Sequence, residues 1–168
     1  MEKDAFFRKF KVEKEFEDSD LEWSVLENIY DDYISRRSEI EACARNLENY
    51  IRQNFNASFH SIRCRTKDPE HLIEKIIRKR GKEQNKKYEG ITIANYREII
   101  RDLIGVRILV LAKEEWIGIY NGITECFASS EKEDPVHYIA ETPVAYTRYG
   151  DRNIFQDKIY VEHTNKGY

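Results

Sequence analysis

A chain of 168 residues with 40% hydrophobic content can build one core of ordinary size, and 35% charged residues, three prolines and no Gly/Ser-rich tract exclude a long disordered linker. No apolar run approaches the roughly 20 residues that span a bilayer, and the opening MEKDAFFRKFKVEKEF is too charged for a signal-peptide core, so the chain reads as cytoplasmic, with no membrane partner. The net charge of −3 conceals an asymmetry: residues 1–56 carry 14 acidic and 9 basic side chains, whereas residues 63–87 carry 10 basic and 4 acidic, an excess that suits a place where phosphates sit.

Asp18, Ser19 and Asp20 offer helix caps, and from there to Phe55 no Pro or Gly occurs, which predicts one long N-terminal helix, or two. Leu26, Tyr33, Ile40 and Leu47 recur every seven residues, with Ile29, Cys43 and Tyr50 on the adjoining line. Such a stripe packs on the domain's own sheet or on a second subunit in a homo-oligomer. FHSIRCRT (59–66) reads as a first strand. Asp68-Pro69 then starts a helix, with Asp68 as N-cap and Pro69 in the first turn, running to about Arg80 and stopping at Gly81. Its apolar residues Leu72, Ile73, Ile76 and Ile77 share one face, leaving Lys75, Arg78 and Lys79 near the opposite one.

GKEQNKKYEG (81–90) is a polar loop and IANYREII (93–100) a short helix. Residues 106–111 form a branched, apolar run that reads as a buried strand, with Asp102 at its mouth and Arg107 inside it. A helix over 113–128 follows, then strand-like alternation over 136–149 interrupted by Pro143, and a last strand over 157–164. This order predicts an α/β (α+β) fold in which a mixed sheet is flanked by helices, with a helical region, 1–56, packed on a core over 57–168.

Cys43, Cys64 and Cys126 are widely spaced and form no CxxC, which favours neither a disulfide framework nor a zinc site. The common nucleotide-loop, zinc-helix and hydrolase motifs do not occur. An Asp at a strand mouth, an Arg on that strand and a basic strand-to-helix unit upstream fit phosphoryl chemistry: Mg²⁺ takes one or two carboxylates plus phosphate oxygens, and the phosphates take fixed guanidinium and ammonium groups.

Arg65-Thr66-Lys67, EKIIRK (74–79), DLIGVRI (102–108) and Gly167-Tyr168, in that order, resemble the motifs of RelA/SpoT-type (p)ppGpp synthetases, especially the small single-domain ones. The resemblance spans residues 60–168. It implies a nucleotidyltransferase-like fold and transfer of the β,γ-pyrophosphate of ATP to the 3′-hydroxyl of GDP or GTP with Mg²⁺, making an alarmone. By position it implies Asp102 as metal ligand and catalytic residue, and Arg65 and Arg107 as the guanidiniums that stack on adenine. Lys67, Lys75 and Arg78 would contact the ATP phosphates, and Tyr168 would stack on the acceptor guanine, with Lys166 and His163 beside it.

Two features depart from the family pattern. His71 stands where a Ser commonly precedes the helix lysine, and VEHTNK (161–166) replaces a lysine-rich stretch. The family also carries a second acidic catalytic residue after the Gly-Tyr motif, so the expectation is a chain that lacks the C-terminal part of the core. Two other functions compete: pyrophosphorylation of the 3′ end of tRNA by a toxin-like relative, and a non-catalytic regulatory module that binds nucleotide or a partner protein.

Overall fold

The computed structural model describes residues 1–128, 131–134, 138–139, 144–147 and 160–163. Among these the chain is a mixed α+β protein of seven α-helices and two small two-stranded sheets. It divides into two units, Met1–Tyr50 with Ile62–Arg107, and Ile51–Ser61 with Ile108–Tyr168.

In the first unit the core is built around α5 (Pro69–Arg80). Asp68 Oδ1 accepts hydrogen bonds from the Glu70 and His71 backbone N–H groups, both at 3.0 Å, and Pro69 occupies the first turn, where its missing N–H costs nothing. Leu72, Ile73, Ile76 and Ile77 are fully buried against Leu26, Ile29 and Tyr33 of α3 (Trp23–Ser35). The chain enters through α1 (Lys3–Phe10) and α2 (Glu13–Glu17), whose Phe6, Phe7 and Phe16 surround the Trp23 ring edge-on.

α2 passes so close to the end of α5 that a Cβ on Gly81 would lie 1.9 Å from the Glu15 carbonyl oxygen. Backbone cannot yield as a flexible side chain does, so Gly81→Ala must push α2 off α5. The expected cost is about 1–3 kcal/mol, read as a lowered unfolding midpoint in thermal or urea melts.

Several expectations need correction here. Of the one long N-terminal helix, or two, that the sequence allows after Ser19, the structure has two, α3 and α4 (Arg37–Asn54). Arg36 ends α3 without Pro or Gly: its backbone sits at φ −95°, ψ 3°, its guanidinium binds Asp32, and the Ser35 hydroxyl donates back to the Asp32 carbonyl. Asp18, Ser19 and Asp20 do not cap α3, which begins after Glu22 with no side-chain cap. Ser19 is instead buried in the turn after α2, its hydroxyl donating to the Phe16 carbonyl at 2.6 Å. The break rotates the stripe: Ile40 stays half-buried, Cys43 is exposed, and Ala44 and Ile51 are buried.

β1 (Ser61–Thr66) pairs with β2 (Ile104–Leu109) in an antiparallel sheet. Within the first unit the Lys67 N–H donates to the Leu103 carbonyl at 2.8 Å. Its sequence predicts a buried β2, yet Val106 is 38% and Leu109 49% exposed, and Leu111 beyond its end is 79% exposed. A branched apolar run favours extended backbone locally, but burial depends on what is layered over each face. The polar loop after α5 includes a short 3₁₀ turn, Lys86–Tyr88, whose Tyr88 enters the core, and α6 (Tyr96–Ile99) leads into Asp102.

In the second unit α7 (Trp116–Cys126) lies on the segment that follows α4. Gly122 allows that approach, since a Cβ there would meet the Phe55 ring at 2.8 Å. β3 (Val144–Thr147) and β4 (Tyr160–His163) pair in parallel, with Val144 opposite Tyr160 and Thr147 opposite His163. The expected single mixed sheet is therefore two separate pairs among the described residues, because apolar alternation marks strands without choosing their partners. No described helix is long and apolar enough to cross a membrane.

Candidate phosphate-binding site

A cavity of about 500 Å³ opens in the first unit between the end of β1, the start of α5 and the turn before β2. Its volume lies within the range of small-molecule sites. The lining is charged: Arg65, Lys67, Lys75 and Arg78 face Asp68, Glu74 and Asp102, with Thr66, His71 and Gly105 between them.

At its centre two lysines share one carboxylate. Lys75 Nζ donates to Asp102 Oδ1 at 2.7 Å and Lys67 Nζ to Oδ2 at 3.0 Å. Burial works to raise the Asp102 pKa, but the hydrogen bonds and charges of Lys75 and Lys67 outweigh it and hold the carboxyl below the ordinary aspartate range. The Asp102 side chain remains 49% exposed and each lysine 19% exposed, so the cluster opens onto the cavity rather than being sealed in the core.

The other carboxylates are already engaged. Asp68 caps α5, and Glu74 accepts from Arg78 Nε at 3.0 Å while Arg78 also reaches Glu83. The Arg65 side chain lies against Gly105 of β2, with Nε 3.4 Å from where a Cβ on that glycine would stand. Arg107, two residues along β2 from Gly105, projects from the same sheet face and is exposed; it does not line the cavity. Neither Arg65 nor Arg107 has an ion-pair partner among the described residues.

Five residues expected at an ATP site, Arg65, Lys67, Lys75, Arg78 and Asp102, thus line one cavity. His163 is described only as a backbone position of β4, and Lys166 and Tyr168 lie outside the described residues. His71 and Glu74 also line the cavity without having been assigned to it. Their signal was available, because positions 71, 74, 75 and 78 recur at three- and four-residue intervals on one helix face. His71 is steadied by the Phe10 ring edge, 5.2 Å between centroids.

Among the described residues no three His, Cys, Asp or Glu side chains gather as a cation cage. Asp102 is one hard oxygen donor flanked by ammonium groups, a set that fits Mg²⁺ when phosphate oxygens supply most of the coordination and draw the lysines to themselves.

The Lys67–Asp102–Lys75 cluster also predicts an acid limit. A carboxyl whose folded pKa lies below its unfolded one stabilises the fold above the unfolded value, and that contribution is lost as pH falls through the folded value. The stability difference between wild type and Asp102→Asn should therefore be constant near neutrality and shrink only below the ordinary aspartate value of 3.8, measured by urea unfolding across that range.

No family model, curated protein or solved structure matches this chain.

Proposed function

We propose that this cavity receives the triphosphate of ATP and that the protein is a pyrophosphotransferase of the RelA/SpoT type on a nucleotidyltransferase-like fold. The observation that carries the reading is the carboxylate of Asp102 held between Lys67 and Lys75, with Arg65 and Arg78 on the surrounding walls. An incoming polyphosphate competes for the lysines, which exchange one carboxylate partner for several phosphate oxygens. Asp102, released from them, is the residue that would hold Mg²⁺. When bound, that ion supplies positive charge against the phosphate oxygens.

In the transfer, the 3′-oxygen of GDP or GTP attacks the β-phosphorus of ATP. The bond from that phosphorus to the α,β-bridging oxygen breaks, AMP leaves, and the hydroxyl proton passes to solvent or a base. Lys67, Lys75 and Arg78 fix the phosphates for this displacement, and the Arg65 guanidinium, beside Gly105, offers a face for the adenine.

The test has two stages. Calorimetric titration of the protein with ATP and Mg²⁺ should give saturable binding that an excess of inorganic triphosphate displaces. The full-length protein supplied with γ-labelled ATP and either GDP, GTP or deacylated tRNA should then move label to the nucleotide. Label on the tRNA would replace the nucleotide acceptor by the 3′ end of tRNA, and absence of ATP binding would overturn the reading.

A further inference from the structure

α3 reaches the candidate site through two adjacent residues that the sequence placed only on, or beside, a packing stripe. The Tyr33 hydroxyl, on a side chain 1% exposed, donates to the Lys67 carbonyl at 2.7 Å. The Lys67 N–H is held by the Leu103 carbonyl at 2.8 Å, so both backbone polar groups of this lysine are pinned. Asp32, one residue earlier and therefore about 100° around the helix, points to a different neighbour. Its Oδ2 accepts from the hydroxyl of Tyr96, a fully buried side chain of α6, at 2.8 Å. Arg36 Nε donates to both Asp32 oxygens, Oδ1 at 3.1 Å and Oδ2 at 3.2 Å. Burial, reinforced by the bond to Asp32, drives the Tyr96 phenol well above its ordinary range, so it stays a donor at any working pH.

Lys67 and Asp102 come from different elements, β1–α5 and α6–β2, yet their side chains meet at 3.0 Å. We infer that Asp32 and Tyr33 are positioning residues that set this meeting, α3 serving as a rigid bar with one hydroxyl bond to each arm. This rests on the ATP-site reading for its consequence, since a lysine moved by even 1 Å no longer meets the phosphate oxygens that take the place of its carboxylate partner. It is independent of that reading for its structural content. Neither residue lines the cavity, so they act only through Lys67 and through the segment leading to Asp102.

Tyr33→Phe and Tyr96→Phe each delete one hydroxyl and keep the ring in the core. Tyr30→Phe, the same chemical change on the same helix, serves as control. The amide hydrogen exchange of Lys67 should speed up in Tyr33→Phe and not in Tyr30→Phe. Unchanged exchange in Tyr33→Phe would overturn the inference whether or not the protein binds nucleotide. Affinity for ATP with Mg²⁺ should fall about fivefold to tenfold in Tyr33→Phe and in Tyr96→Phe. A double-mutant cycle separates positioning from general loosening: in a Lys67→Met background, Tyr33→Phe should have no further effect on ATP affinity. A full additional loss there would refute action through Lys67. A wild-type protein that binds no ATP would refute the site reading, leaving the exchange measurement to decide the inference.

Discussion

Replacing Asp102 by Asn is expected to reduce pyrophosphate transfer by about a thousandfold or more, the scale of losing a stabilising charge worth about 4 kcal/mol at a reacting phosphate. Asn keeps the shape and one acceptor oxygen, but its amide nitrogen would face a lysine ammonium where a carboxylate oxygen now accepts at 2.7 or 3.0 Å. Two donors then confront each other, and on the proposed reading the site loses the carboxylate that would hold Mg²⁺. The backbone around residue 102 is a surface turn, so the cooperative unfolding transition should survive. ATP affinity should change far less than transfer, because the lysines and arginines proposed to meet the phosphates remain. A label-transfer assay run beside a calorimetric ATP titration checks both halves, and full activity in Asp102→Asn would remove this residue from the chemistry.

The cationic residues should divide into two groups. Arg65 lies over Gly105 and Arg107 projects from the same face of the strand pair, so truncating both removes stacking surface for a base. With each guanidinium–aromatic contact worth about 1 kcal/mol or somewhat more, the double variant Arg65→Ala/Arg107→Ala should bind ATP about 30-fold to 100-fold more weakly. Lys75→Ala and Arg78→Ala should instead slow transfer more than they weaken binding, since on the proposed reading they fix phosphates whose alignment matters most during the displacement. Arg78 is the milder of the two, because Glu74 and Glu83 already share its charge. Comparing the ATP dissociation constant with the maximal transfer rate for each variant separates the groups; equal ATP affinity in wild type and the double arginine variant would contradict the division.

The difference between what was legible in the chain and what was not follows the range of the forces. The bounds of α5 were readable at Asp68-Pro69 and Gly81, because a cap, a proline in the first turn and a stop act within four residues. Its buried face was equally readable, since helical geometry places Leu72, Ile73, Ile76 and Ile77 together whatever they pack on. The same local geometry put Lys75 and Arg78 on one face, and the excess of basic charge between residues 63 and 87 is composition alone.

Interactions across the chain were another matter. The end of α3 at Arg36 has no Pro or Gly to announce it; it depends on an Asp32 that Tyr96, 64 residues away, also holds. The exposure of β2 could not be inferred from Val106 and Leu109, because a strand's composition sets its extension while the layers beside it set its burial. Asp102 and Lys67 are 35 residues apart and Asp102 and Lys75 are 27 apart, so charge alone marked them as candidates without bringing them together. Their meeting depends on the packing of α3 against α5 and on the hydrogen bonds from Tyr33 and to Asp32, contacts whose strength is decided by tertiary distance and not by spacing along the sequence.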